Sequence, residues 1–510
     1  MQFSGKPWNT GGRKGKHEMK YLLGVDFGGG SSKATLIDTT GNIVAENNVE
    51  YPTYYPNLGW CEQAPEDWNR ALAQNVKGLF EKSNIVPADI LAIAIDSATH
   101  TWVMCDEASR PLRPAIHWTD SRSRGQAEYL KKEYGELIFE KSFHRPDTIW
   151  TLPQILWIRE NEPENFRKLR YIFFEKDYIR FCLTGVYCTD YIEAQGSMLY
   201  DCNTNRWSDE LLKLAGIAEE MLPPVVKPAD IIGSVTREAA RKTGLAEGTP
   251  VICGTTDTVL EVFASGAVHP GDVTVKLATA GRICVITEKP YPNQHFVNYA
   301  HIAEGLWYPG TATKAAASSY RWYRDTFGGS YEELNIGAGQ VPIGCDGLLY
   351  HPYINGELTP YADPALCGSF VGIRATHTKA HFTRSVLEGV AMSLLHSKKT
   401  LEDQGITLGG KATIIGGGAK GSLWRQITAD CLGMELAKTT SSDSSLGSAM
   451  LAGVATGVFT NVDAAVKACI RVESVTRPIK ENSKEYEQIF KEYVAVHDAL
   501  AAIYDARMTV

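Results

Sequence analysis

The stretch Asp26-Phe27-Gly28-Gly29-Gly30-Ser31-Ser32-Lys33 gathers the residue types that hold phosphate. Three successive glycines let the main chain approach an anion without a Cβ in the way, and consecutive N–H groups in a tight turn form an anion-binding concavity. Ser31 and Ser32 add hydroxyl donors, and Lys33 adds a positive charge. Asp26 would repel phosphate directly, so its place before the turn makes sense with a hydrated divalent cation between the two. The bland alternative is an ordinary glycine-rich hairpin.

Asp257, in Gly254-Thr255-Thr256-Asp257-Thr258, is the second chemical candidate. With an ordinary pKa of about 3.9 it is ionised at pH 7, so as a general base it needs placement more than tuning. Small residues before it and apolar ones after it also suit a helix N-cap. A third glycine turn, Gly416-Gly417-Gly418, follows Ile414-Ile415 and precedes a helical pattern. Free N–H groups and the helix dipole there suit a nucleotide's phosphates or a close-packed base. The spacing is not that of a P-loop, and no acidic residue stands where a dinucleotide fold needs one.

These turns need strands to hold them. Tyr21 to Asp38 reads as two strands around the glycines, with a third from Ile43. Pro65-Glu66-Asp67 opens a helix with Trp68, Leu72, Val76 and Leu79 near helical spacing, and Ile90 to Ile95 reads as a strand covered on both faces. The pattern restarts near Thr249: Val251-Ile252-Cys253 leads into Asp257, and Asp272 to Thr287 is again strand, small-residue turn, strand. Lys480 to Tyr504 closes the chain as an amphipathic helix with Tyr486, Phe490, Tyr493 and Leu500 on one side. The expectation is an α/β protein of two similar domains, 21-248 and 249-510, after a flexible leader over 1-20.

Composition agrees with that outline. A chain of 510 residues exceeds one typical core. Its net charge of −8 carries no basic block, which argues against nucleic acid as the main partner. No apolar run approaches the roughly 18 residues that cross a bilayer. Eleven cysteines without partner-like spacing fit free thiols in a reducing, cytoplasmic compartment.

Gly368 to Gly389, GSFVGIRATHTKAHFTRSVLEG, resembles the second signature of the FGGY carbohydrate kinases of the actin-like ATPase superfamily. The likeness runs from about Tyr21 to Gly457, and within the family it is to the pentulose kinases. It implies two actin-like (ribonuclease H-like) domains with ATP and a small sugar in the cleft between them, Mg²⁺ as cofactor, and a homodimer. It also implies roles. Asp257 falls at the catalytic base, Asp26 at the Mg²⁺ position, and His100 at the histidine that contacts the sugar. Thr99 stands where the pattern has methionine. Asp120, in HWTDSRS, either contacts substrate or fixes its loop with Arg122. Gly29, Gly30, Ser31 and Lys33 match the first phosphate loop and Thr279 the second, while Ala317, Arg321, Gly417, Gly418 and Ser422 match adenosine-side positions. Arg321 reads equally well as part of a solvated helix face.

The chain departs from the pattern at Gly28-Gly29 for G-T, Ala278-Thr279-Ala280 for G-T-S, Asp257-Thr258 for D-N, Leu358 within E-R-T-P, and Gln154 for lysine. The substitutions in the phosphate turns remove polar side chains and keep the backbone N–H groups. The function they leave is ATP-dependent phosphorylation of a ketopentose such as xylulose. Its alternatives are another sugar or polyol (L-xylulose, ribulose, glycerol, erythritol), or a sugar or nucleotide sensor without catalysis.

Overall fold

The computed structural model describes residues 19–508. The expected leader lies outside them except for its last two positions. β1 (Tyr21–Phe27), β2 (Ser31–Asp38) and β3 (Ile43–Glu50) form the antiparallel meander. The chain then crosses through α1 (Pro65–Ser83), which starts on its proline and buries Trp68, Leu72, Val76 and Leu79. It returns as β4 (Ile90–Ser97), parallel to β1. After α2 (Glu175–Thr184) come β5 (Ile231–Ser234) and β6 (Pro250–Ile252), giving the order β5-β6-β4-β1-β2-β3.

β6 corrects the expected boundary at 248/249. Val251 pairs with Ile93 in the first sheet, and Val251, Ile252 and Cys253 are all fully buried. An apolar strand beside β4 needs cover on both faces, which the first domain supplies. The first unit therefore extends through α3 (Asp257–Ala264).

The second sheet repeats the grammar. β7 (Val273–Leu277) and β8 (Gly281–Val285) are a hairpin; β9 (Lys411–Ile415), β10 (Glu435–Thr439) and β11 (Val472–Thr476) follow in the order β8-β7-β9-β10-β11. Around it lie α4 (Ala317–Phe327), the largely buried α5 (Lys379–Asp403) and α6 (Ser422–Leu432).

α7 (Ser444–Ala455) follows β10 in the chain and packs on the first sheet. Its small residues permit this. A Cβ on Gly24 of β1 would lie 2.0 Å from the Ser445 carbonyl oxygen, and one on Gly447 would lie 2.3 Å from that of Leu260 in α3. Thr35 and Ser445 share a buried hydroxyl hydrogen bond of 2.8 Å across the contact. α7 thus locks the two halves together beneath their cleft. The closing helix α8 (Lys480–Met508) buries Tyr486, Phe490 and Tyr493 against the second core, as its spacing predicts. All eleven cysteines are free. Among the described residues no helix is long and apolar enough to cross a membrane.

Candidate active site

The first glycine turn is tied down through its carbonyls. Tyr51 donates its hydroxyl to Gly28 O and its N–H to Gly30 O (3.0 Å), while Thr53 Oγ1 donates to Gly29 O at 2.6 Å. Gly29 and Gly30 are exposed, and among the described residues no protein acceptor takes their N–H groups. That is an open anion edge. Ser31 opens β2 beside it. Lys33 corrects the sequence expectation, because its ammonium is paired with Glu46 at 2.8 Å and with Asp443, the residue before α7. Its charge ties β2 to α7 rather than standing free for phosphate.

The second turn is held in the same way. Ala317 and Ala316 donate their N–H groups to the carbonyls of Ala278 (2.7 Å) and Thr279 (2.9 Å), and Ser318 Oγ also donates to Thr279 at 2.7 Å. This latches the exposed Thr279 to the start of α4, where Arg321 lies one turn on, exposed. The third turn seats on the end of β7. A Cβ on Gly416, whose φ is +93°, would lie 2.7 Å from Leu277 O, and one on Gly418 would lie 2.6 Å from Leu277 Cγ. Gly417 faces open space, and Ser422 begins α6. Thr279, Ala317, Gly417 and Gly418 are thereby collected where β7 and β9 end, on the C-terminal side of the second sheet.

Between the clamps lie carboxylates. Asp26 sits in register beside Asp96 on the parallel pair β1–β4, and the Ser97–Thr256 bridge carries the pairing on to Asp257. Burial pushes Asp26 up to about 7, and the charges of Asp257 and Glu261 push the same way, against hydrogen bonds to Asp96 and Ser444. Asp96 is fully buried and held far above the usual carboxylate range by burial and by Asp26; Ser448 Oγ donates to its Oδ2 at 2.5 Å, and its Oδ1 has no partner.

Asp257 is half-buried at the start of α3. Its Oδ1 accepts from Thr258 N (2.6 Å) and Thr258 Oγ1 (3.2 Å), and its Oδ2 has no protein partner among the described residues. One oxygen is taken by Thr258, while the helix N-cap itself is Thr256, and the other oxygen is left for a ligand proton. Burial raises the pKa of this carboxyl while Lys276 opposes the rise. Behind it, Thr255 Oγ1 donates to Asp190 Oδ1 at 2.7 Å, and Asp190 is itself ion-paired with Lys176 at 2.8 Å. That buried pair braces the turn.

His100 lines the opposite wall. Its backbone is left-handed at φ +74°, and a Cβ on Gly196 would lie 2.4 Å from His100 Cε1 and 2.8 Å from Thr99 Cγ2, so only glycine fits there. Burial drives its pKa down to about 3, which keeps the imidazole neutral. Nε2 shares a 3.1 Å hydrogen bond with Tyr299 OH, the ring lies 4.6 Å edge-on to Trp150, and Nδ1 has no partner. Thr99 beside it is half-buried.

Asp120 is a second correction. It is fully buried, its Oδ2 accepts from Cys61 N at 2.6 Å, and Arg122 Nε bonds both oxygens at 2.9 and 3.0 Å. It fixes the loop, and its oxygens are committed to protein. Sequence reasoning missed Asp96, Arg282, Tyr299 and Glu175, the last fully buried with both carboxyl oxygens unpartnered. Only Asp96 carried a signal, as an acid closing an apolar strand.

Two turns with open N–H edges, an aspartate with a free oxygen between them and a polar aromatic wall can aim a hydroxyl at a phosphate. Comparison with known proteins identifies the family. The N-terminal domain model of the FGGY family of carbohydrate kinases matches residues 21–264, and the C-terminal domain model matches residues 275–456. The chain is 32% identical to the xylulose kinase of Bacillus subtilis over 486 residues, 94% of this chain and 97% of that one. It is 30% identical to the gluconokinase of the same organism, over 93% and 95% of the two chains. The crystal structure of xylulose kinase from Rhodospirillum rubrum superposes with a TM-score of 0.88 at 26% identity, covering 95% of this chain and all of that one. The chain belongs to the FGGY family of carbohydrate kinases and is an ATP-dependent sugar kinase of the actin-like fold.

Proposed function

We propose that the protein transfers the γ-phosphate of ATP to a hydroxyl of a ketopentose such as xylulose, with Asp257 as general base. The free Oδ2 of Asp257, set between two turns with open N–H edges, carries this reading. Asp257 accepts the proton as the sugar oxygen bonds the γ-phosphorus and the β,γ-bridging P–O bond breaks. The Gly29–Gly30 turn holds phosphate from one domain and Thr279 from the other; Ala317, Arg321, Gly417, Gly418 and Ser422 border the adenosine. His100, neutral and braced by Tyr299, and Thr99 border the sugar. Closure of the halves excludes water and limits ATP hydrolysis.

Mg²⁺ fits at Asp26. Its carboxyl is pushed up mainly by burial and further by the charges of Asp257 and Glu261, and a cation would offset that repulsion. No three described His, Cys, Asp or Glu side chains form a metal site by themselves, so Asp26 would hold the ion together with water and phosphate oxygens. When bound, Mg²⁺ neutralises charge on the β- and γ-phosphates. A homodimer in the cytoplasm belongs to the same reading, with light scattering as its check.

Purified protein with ATP, Mg²⁺ and a panel of ketoses, sugar alcohols and sugar acids should release ADP in an acceptor-dependent way. ADP release with other acceptors and none with a ketopentose would overturn the ketopentose reading.

A further inference from the structure

Gly29 leaves an empty side-chain position in the first phosphate turn, and the group nearest to it is a histidine. A Cβ built on Gly29 would lie 3.6 Å from both Cε1 and Nε2 of His117, and among the described residues no other atom beyond its chain neighbours comes within 4 Å of it. His117 follows the short strand Ala115–Ile116 and is buried. Its N–H donates to Cys61 O at 3.0 Å, and its carbonyl accepts from Asp120 N at 2.9 Å. The buried Asp120–Arg122 pair thus fixes the loop that carries the ring. Thr119 N–H donates to His117 Nδ1 at 3.3 Å, and the Thr119 hydroxyl lies 2.8 Å from the same nitrogen. A main-chain N–H can only donate, which assigns Nδ1 as the acceptor and places the ring proton on Nε2. Burial keeps the imidazole neutral by holding its pKa down to about 4, with the charge of Asp120 opposing.

The Nε2–H is therefore a donor without a partner, buried against a turn whose Gly29 and Gly30 N–H groups have no protein acceptor among the described residues. A buried donor left bare is costly, and an arriving acceptor offsets that cost. Donors gathered at one turn call for one kind of ligand, an oxygen-rich anion. Lys33 does not supply the missing contact, because Glu46 and Asp443 hold its ammonium. Threonine, which the family pattern has in place of Gly29, would carry its hydroxyl one bond beyond the Cβ. Here the imidazole stands on that side of the turn instead.

We infer that His117 is a phosphate-binding residue: its Nε2–H donates to a β- or γ-phosphate oxygen of ATP seated on the Gly29–Gly30 N–H edge, in place of the hydroxyl that Gly29 lacks. The inference rests on the assignment of that turn to phosphate and is independent of which sugar is the acceptor. The ring acts as a neutral donor, and no bond forms or breaks at it. Its contribution is to nucleotide affinity.

The test measures equilibrium binding of a nonhydrolysable ATP analogue with Mg²⁺, and of AMP, without sugar, to the wild type, His117→Leu, His117→Gln and His117→Leu combined with Gly29→Thr. His117→Leu fills the space and removes the donor. Its Kd for the ATP analogue should rise at least about tenfold, the expected loss of a hydrogen bond to a charged group, while AMP, which lacks those phosphates, should bind as before. His117→Gln, whose amide can donate, should keep part of the affinity. Gly29→Thr in the leucine background should restore part of it, since φ at Gly29 lies outside the left-handed region and a Cβ at 3.6 Å makes an ordinary contact. A ring that only packed beneath the turn would not be replaced by a hydroxyl. Spectra of the wild type labelled with ¹⁵N-histidine need no variant to fold: the His117 Nε2–H resonance, identified by its contacts with the Gly29 α-protons, should move with the ATP analogue and not with AMP. A Kd within about twofold of the wild type in His117→Leu overturns the inference. So does an equal loss for AMP, no gain from the threonine, or an Nε2–H resonance that stays in place. Because binding is read without sugar, a failure of the ketopentose reading would leave this result standing.

Discussion

Asp26 and Asp96 stand side by side in register on neighbouring parallel strands, in a pocket where burial and each other's charge disfavour two negative charges. Asp26 is open to the cleft, and Asp96 is sealed behind it against Ser448 of α7. If Asp26 holds Mg²⁺ as proposed, Asp96 acts through it, as the group that orients the carboxylate. Asp96→Asn should weaken the apparent Mg²⁺ affinity by about tenfold, within the range expected of such outer partners, while saturating Mg²⁺ restores most of the rate. Asp26→Asn should not be rescued. Steady-state ADP release across a MgCl₂ titration checks both.

Asp257 divides its two oxygens between Thr258 and the cleft. Asp257→Asn keeps an oxygen for the Thr258 N–H and removes the proposed base. The expected loss in kcat is about 10²- to 10⁴-fold, with ATP binding retained. Equilibrium binding of a fluorescent ATP analogue beside single-turnover kinetics separates the two effects. Retained turnover would mean that another group takes the proton.

Gly447 lets α7 touch α3 through backbone, with a Cβ there only 2.3 Å from Leu260 O. Gly447→Ala must push α3 away. It should cost about 1–3 kcal/mol in urea unfolding, the usual price of overpacking. Because Asp257 begins α3, kcat should fall as well, whereas Gly405→Ala at an open turn should leave kcat unchanged.

Glu357 is nearly sealed from solvent and accepts from Lys314 N (2.8 Å), Leu358 N (2.8 Å) and Ser393 Oγ (3.2 Å). Burial outweighs these bonds and lifts its pKa from 4.5 to about 7. The folded state then binds more protons than the unfolded state between those values, so this group's contribution to stability falls as pH rises from about 4.5 to 7. The whole shift is worth about 3 kcal/mol at most. Glu357→Gln should flatten that part of the stability profile, followed as unfolding midpoints from pH 5 to 8. An unchanged slope would mean that another group carries it.

Local pattern by itself determined the meander at Tyr21 to Glu50, the buried strand from Ile90, the second hairpin around Thr279, the glycine turn at Gly416 to Gly418 and the apolar face of the closing helix. Each rests on short-range rules: alternation, glycine where a Cβ would collide, apolar residues at helical spacing. What spacing along the chain cannot encode is which distant segments share a surface. Only the tertiary structure moved β6 into the first sheet, because its partner β4 lies far away in sequence. Only the tertiary structure committed Lys33 to Glu46 and Asp443 and Asp120 to Arg122, since a charge takes its nearest opposite in space. The same geometry set Asp96 behind Asp26 and the His117 ring against Gly29, because strand register and loop packing fix which groups meet.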